Sequence, residues 1–302
     1  MGTPSFASNI LEGLILDGYN IVGVVTQPDK EVGRKKELKC SPVKEIALKY
    51  NLPCLTPNKI RNEFEDVLKL DPELIITSAY GQFIPNEILD YPKYKCINTH
   101  GSLLPKYRGG APIQRAIING EEKTGISIMY MNEKMDDGDI LMQESIDIDI
   151  HDTSTTLFSK LSDLGLKMLR EFLPKLFVGD INPISQDRSL VTIASNLDKE
   201  IEHISFNDDV LKVYNHIRGL LDNPGCFFMI NDKKYKIEKC FFEYSDNVSP
   251  NKFVGLENDY LRLDCLNGYI CVYEIKPEGK SSMDGKSFFN GAGRNLVNAE
   301  LR

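Results

Sequence analysis

A chain of 302 residues with 41% hydrophobic and 26% charged side chains is long enough for one large domain or two ordinary ones around a sizeable buried core. It contains no run of eighteen apolar residues, which excludes a transmembrane helix, and its start has no basic segment ahead of an apolar core, so no signal peptide is expected. A formal net charge of −8 argues against binding nucleic acid by bulk attraction, and leaves room for a local basic patch.

In chain order, helical and strand patterns alternate. Residues 4–18 predict a helix: Pro4 suits a first turn, Phe6, Ile10 and Leu14 recur at helical spacing, and Gly18 can end it. Residues 21–26 form a short apolar run suited to a strand buried on both faces. Residues 41–50 predict a capped helix, 52–55 a short strand, and 59–70 a helix with Ile60, Phe64, Val67 and Leu68 on one face. Residues 74–77 and 96–98 are further buried strands, the first followed by an Ala79-Tyr80-Gly81 turn. A helix at 111–119, strands at 126–131 and 140–148, and a long amphipathic helix at 153–172 follow.

This alternation predicts an α/β fold with an open, mostly parallel sheet that binds ligands at the carboxyl ends of its strands. A helix starting at residue 4 should follow a first strand, and Gly2-Thr3-Pro4 reads as the turn after one, so the sequence predicts a sheet without its first strand, either because the recorded start is an internal Met or because the sheet has lost that strand. Periodicity lapses around Pro183, which predicts a linker at 180–199 between a domain over 1–179 and another over 200–302. In the second, a helix at 208–221 precedes five short runs at 226–230, 234–242, 253–256, 260–266 and 269–276, the pattern of a small β-barrel.

Seven cysteines without a C-x-x-C pair read as reduced thiols in a cytoplasmic protein. Cys96 and His100 are a close Cys/His pair that no second pair completes, so no metal site is expected. Chemistry is instead concentrated from Cys96 to Asp139. Asn98 and His100 stand two apart at the end of an apolar strand, so their side chains point the same way. A single His there is more often structural. The Pro- and Gly-punctuated loop that follows, the amide beside the imidazole, and the later carboxylates Asp136, Asp137 and Asp139 move the reading towards catalysis.

These groups fit acyl or formyl transfer to an amine. As the amine attacks a carbonyl carbon, negative charge grows on oxygen, where a fixed amide donor contributes about 3 kcal/mol. An imidazole can donate to the same oxygen or shuttle the proton, and a neighbouring carboxylate would fix its tautomer. Carboxylates in a glycine turn are otherwise usually solvated or capping groups, and this run lacks the calcium-loop pattern. No dinucleotide-binding, phosphate-loop or G-x-S-x-G motif occurs. Residues 30–39 carry five cationic side chains against two acidic ones, a run that is most often just a solvated loop.

At these residues the sequence resembles the methionyl-tRNA formyltransferases of the 10-formyltetrahydrofolate transformylase family. The landmarks run in order: Gly2-Thr3-Pro4 with Phe6-Ala7, Thr26-Gln27-Pro28-Asp29, Gly33-Arg34, Ser41-Pro42-Val43-Lys44, Ala79-Tyr80-Gly81, Ile97 through Pro105, Arg108 through Gln114, Thr124-Gly125, Met131 and Asp136-Asp137-Gly138. Weaker likeness continues through Ile217-Arg218, Asn223-Pro224 and Lys276 to Lys280. The resemblance implies a Rossmann-like catalytic domain and an OB-like barrel that contacts tRNA.

The resemblance implies further that Asn98 and His100 polarise the formyl group while Asp136 orients His100 and takes part in proton transfer. It places folate contacts, largely main-chain, at Gly81, Gln82 and Ile84, at Ser102, Leu103, Leu104 and Pro105, and at the turn leading into Asp136. It implies that Arg34, with Lys35 and Lys36, reaches the acceptor end of tRNA, a task suited to arginine's planar fork. Partners would be 10-formyltetrahydrofolate and initiator methionyl-tRNA, with no membrane, and the chain would be a monomer. The family's Pro-Lys pair at the second-domain junction is Ser195-Asn196 here, so tRNA contact in that domain would fall to Lys233, Lys234, Lys236 and Lys239, which equally suit a solvated strand face. Two other functions compete: formyl transfer to a nucleotide-linked amino sugar, and tRNA binding without catalysis.

Overall fold

The computed structural model describes all residues of the chain except 33–35. It divides into two compact units: residues 1–112, 123–147 and 158–195 form the first, and residues 113–122, 148–157 and 196–302 the second.

The first unit begins with α1 (Ser5–Leu16), β1 (Val24–Val25), the hairpin strands β2 (Lys30–Val32) and β3 (Glu37–Lys39), α2 (Pro42–Lys49) and β4 (Cys54–Leu55). It continues through α3 (Glu65–Leu68), β5 (Ile75–Thr77), α4 (Asn86–Leu89) and β6 (Cys96–His100). After α5 (Pro112–Ile118), assigned mostly to the second unit, come β7 (Lys123–Tyr130), β8 (Ile140–Asp147) and α6 (Ser154–Val178). β1 pairs in parallel with β4, and β5 with β6, whereas β6, β7 and β8 run antiparallel.

Met1 and Gly2 join these two groups of strands. The Met1 amine donates to the Ile76 carbonyl at 2.6 Å, Ser78 N–H donates to Met1 O at 2.9 Å, and Gly2 N–H donates to Val25 O at 3.0 Å. The expected first-strand position is therefore held by two residues. Beside them lies a cavity of about 430 Å³ walled by Ile21, Val22, Val24, Leu74, Ile76 and Leu173. β1 is shorter than the apolar run 21–26, because a strand is recognised only where neighbours meet its N–H and C=O groups.

Alternation along β1 puts helices on both faces. Val24 packs with Ala7 of α1 and Val43 and Ala47 of α2. Val25 packs with Val67 of α3 and Ile88 of α4. The predicted helix at 59–70 is broken in two. Gln82 Oε1 accepts the Ile60 N–H at 2.8 Å and Glu63 Oε1 accepts that of Lys59 at 3.0 Å, so side chains satisfy donors at its start. Conversely, α6 runs past residue 172 and through Pro174, since Leu169, Leu173 and Leu176 keep its apolar stripe buried. Of the linker expected at 180–199, residues 180–195 are bonded into the first unit: Ile184 exchanges backbone hydrogen bonds with Ile140, and Ala194 N–H donates to Arg108 O.

The second unit packs α7 (Val210–Leu220) on an antiparallel sheet. Asp209 caps α7, and Val210, Val213, Ile217 and Leu220 face the core. The strands are β9 (Cys226–Ile230), β10 (Lys233–Tyr244), β11 (Phe253–Glu257), β12 (Tyr260–Asp264), β13 (Gly268–Pro277) and β14 (Met283–Asp284), followed by α8 (Gly285–Gly291). All five predicted strands are present, in the order β11-β12-β13-β10-β9, and among the described residues no strand pairing closes them into a full barrel. The chain end spans the gap instead: Arg302 N–H donates to Met229 O beside one edge, and Phe253 N–H donates to Ala299 O at the other.

Candidate active site

β5 and β6 lie side by side with Thr77 in register with Asn98. The Thr77 hydroxyl donates to Asn98 Oδ1 at 2.8 Å, and with the carboxamide in that orientation Nδ2 points the other way. Among the described residues nothing pairs with that nitrogen. Asn98 thus presents an amide donor of fixed orientation at the carboxyl end of a strand.

His100 closes the same strand and is 6% exposed. Its Nε2 lies 2.8 Å from the Tyr107 carbonyl, which only accepts, so the hydrogen sits on Nε2. The proton-exchanging nitrogen is then Nδ1, which lies 3.6 Å from Asp136 Oδ2. That distance is beyond a hydrogen bond but suits an ion pair once Nδ1 is protonated, and catalytic contacts often tighten only when substrate binds. The Tyr107 carbonyl, not Asp136 alone, orients the ring.

The three carboxylates have separate tasks. Asp136 Oδ2 accepts the Gly109 N–H at 2.8 Å, Asp137 pairs with Arg108 Nη1, and Asp139 Oδ1 accepts from Ser185 Oγ at 2.8 Å. Asp136 therefore has its second interaction with His100, and Asp137 and Asp139 have none with it. Two glycines are required here. Gly109 has φ +124, and a Cβ at Gly138 would collide with the Tyr130 carbonyl oxygen. Tyr107 and Asp136 are also left-handed, at φ +60 and +50, which costs of order 1–3 kcal/mol each and persists only where the surroundings over-determine the backbone.

Comparison with known proteins bears directly on this arrangement. Residues 1–173 match the family model described as Formyl transferase, and residues 196–293 match that described as Formyl transferase, C-terminal domain. The chain belongs to the formyl transferase family. It is 42% identical to a methionyl-tRNA formyltransferase of Ligilactobacillus salivarius, covering 98% of this chain and 95% of that one. It is 46% identical to that of Bacillus cytotoxicus, covering 97% and 94%. Among solved structures, the sugar 3N-formyl transferase WlaRD superposes with a TM-score of 0.68 at 22% identity, over 93% of this chain and 97% of that one. An N-formyltransferase of Helicobacter canadensis gives 0.67 at 21%, over 90% and 96%. At such identities these two establish the fold alone.

This formyl transferase surrounds the Asn98–His100 end of its sheet with loops whose side chains are already engaged. After β5, Ala79 and Gly81 take left-handed conformations at φ +47 and +87. The Gln82 amide is committed to Ile60 N–H and, at 3.2 Å, to Pro57 O, while Ile84 is buried among core residues. After β6, Ser102 Oγ donates to Lys106 O at 2.7 Å. Ser127 of β7 donates to Ser102 O and accepts the Leu104 N–H, and Gln143 of β8 donates to Leu104 O. The Leu104–Pro105 peptide bond is cis, and Leu104 is buried.

Within the basic run, Lys30–Val32 and Glu37–Lys39 pair antiparallel as β2 and β3, with Lys30 opposite Lys39. Lys36 is exposed and lies 3.4 Å from Glu31. Arg34 and Lys35 fall outside the described residues. Thr77, Tyr107, Gly109 and Gln186 escape the sequence reading, because their parts depend on strand register, on main-chain groups or on a remote segment.

Proposed function

We propose that this chain transfers the formyl group of 10-formyltetrahydrofolate to the α-amino group of methionine carried by initiator tRNA. The observation that carries the reaction is the fixed orientation of Asn98 and His100, with a free amide donor and a single proton-exchanging nitrogen at one strand end. The near-full-length likeness to methionyl-tRNA formyltransferases carries the choice of acceptor.

The folate supplies the formyl carbon. Asn98 Nδ2 donates to the formyl oxygen as charge grows there. His100 Nδ1 takes the proton that the attacking amine loses and gives it to the folate nitrogen whose bond to the formyl carbon breaks, and Asp136 balances the imidazolium that forms in between. The main-chain edges at Gly81, Gln82 and Ile84, at 102–105 and at the turn into Asp136 hold the pterin. Residues 1–179, with the bonded stretch of the 180–199 connection packed on them, form the catalytic domain, and residues 200–302 form a tRNA-contacting domain. Arg34, Lys35 and Lys36 engage the acceptor end. On β10, Lys234 and Lys236 alternate with the buried Tyr235 and Ile237, which supports a cationic outer face for RNA. All seven cysteines are free thiols, which supports a cytoplasmic protein. None of the described helices is long and apolar enough to cross a membrane. We assign a monomer, which sedimentation at a mass near 34.2 kDa would bear out.

Incubation with 10-formyltetrahydrofolate and charged initiator tRNA should yield N-formylmethionyl-tRNA, and His100→Ala should lower the rate by about 10²–10⁴. Full activity in His100→Ala would sink the mechanism. Equal activity on a nucleotide-linked amino sugar would sink the choice of acceptor.

A further inference from the structure

Gln186 lies in the segment between α6 and the second unit, fifty residues along the chain from Asp136, yet its side chain is built into the Asp136 turn. All four hydrogen-bonding positions of its amide are used. Oε1 accepts from Arg108 Nε at 3.0 Å and from Nη2 at 2.7 Å. Nε2 donates to the carbonyls of Asp136 at 2.9 Å and Gly138 at 2.7 Å. The assignment of its oxygen and nitrogen has one solution, because a guanidinium only donates and a carbonyl only accepts.

The parts this amide joins are themselves held. Arg108 is 8% exposed, gives Nη1 to Asp137, donates its N–H to Thr192 O and accepts from Ala194 N–H. Ile184, two residues before Gln186, is paired with Ile140. Gly109, next to Arg108, donates to the Asp136 carboxylate. One amide therefore ties both ends of the turn to the residue whose neighbour anchors the carboxylate.

We propose that Gln186 is a positioning residue for formyl transfer: by clamping the Asp136–Gly138 turn to Arg108 it sets the Asp136 carboxylate beside His100. The proposal rests on the reading of Asp136 as part of the transfer machinery. Without the clamp, Asp136 keeps the Gly109 N–H, but its left-handed backbone loses the contacts that hold it.

The test is a double-mutant cycle on the full chain, read as single-turnover formylation of methionyl-tRNA. Gln186→Met keeps the shape and removes all four hydrogen bonds, while Gln186→Glu keeps the acceptor for Arg108 and sets a carboxylate against two carbonyls. Both should lower kcat by about ten- to a hundredfold, the scale of a misplaced catalytic group, with the KM for tRNA changed by less than about threefold. In an Asp136→Asn background the further loss from Gln186→Met should shrink below about threefold, since the charge it positions is gone. Thermal unfolding is followed alongside, and if Gln186→Met does not fold, Gln186→Glu carries the same comparison. Unchanged kcat in the folded variant, or a loss that multiplies in full on Asp136→Asn, overturns the proposal while leaving Asp136 in place. Wild-type activity in Asp136→Asn itself overturns the reading of Asp136, and the proposal with it.

Discussion

Replacing Thr77 by Val tests whether the direction of the Asn98 amide, and not just its presence, matters to catalysis. Thr77 is 2% exposed, and Val keeps its branched shape while setting a methyl where the hydroxyl stood. What is lost is the hydroxyl that lies 2.8 Å from Asn98 Oδ1, 3.1 Å from Met131 Sδ and 3.2 Å from Ile97 O, the first of these being the contact that aims Nδ2. Asn98 is half-buried, so water can replace the donor, and the net loss should be that of one neutral hydrogen bond, about 1 kcal/mol. If the amide must be aimed in the transition state, this energy appears in kcat as a loss of about fivefold. Removing the donor altogether with Asn98→Ala should cost about 3 kcal/mol, or more than a hundredfold. Single-turnover formylation at saturating 10-formyltetrahydrofolate separates the two effects, with thermal unfolding as the control for folding. Full kcat in Thr77→Val beside a crippled Asn98→Ala would show that orientation is set elsewhere. Equal damage in the two variants would show that Thr77 itself meets the substrate.

Other perturbations reach different layers of the structure. Gly138→Ala should lower both the melting temperature and kcat, the latter by about a hundredfold, because the new Cβ drives the Asp136 turn off the Tyr130 carbonyl; a wild-type kcat would refute the close approach. Arg34→Ala should raise the KM for tRNA by about tenfold and flatten its salt dependence while leaving folate binding intact, and a matching loss of folate affinity would contradict the expected division of labour. Burial depresses the His216 pKa, aided by Arg115 and opposed by its hydrogen bond to Ile201 O. As pH falls through about 6.5, the unfolded chain takes up a proton that the folded one resists, so stability should drop from pH 7.5 to 5.5. His216→Gln should flatten that slope in urea titrations, and an unchanged slope would place its origin in another group.

The elements were largely legible because periodicity and capping are local. Phe6, Ile10 and Leu14 announced α1, and Ser41 and Pro42 the start of α2, whose Lys44 N–H Ser41 does accept. The failures came where a distant group intervened. The helix expected at 59–70 starts on a cap supplied by the distant Gln82 and is split between Asn62 and Glu65. The second sheet is spanned at its open side by residues 298–302, too short and irregular a segment to announce itself as a strand.

The site divides the same way. Residue type and position at a strand end pointed to Asn98 and His100, and the glycine turn pointed to a carboxylate, because amide, imidazole and carboxylate chemistry is written in the side chains themselves. The residue types left Asp136, Asp137 and Asp139 equivalent, and only family resemblance separated them. Tertiary structure decided which one faces His100, which imidazole nitrogen exchanges a proton, and which way the Asn98 amide points. Those choices belong to Thr77, Tyr107, Arg108, Gly109 and Gln186, which act through hydrogen bonds between segments remote in the chain, and such bonds exist only once strand register and loop packing have brought their atoms within about 3 Å.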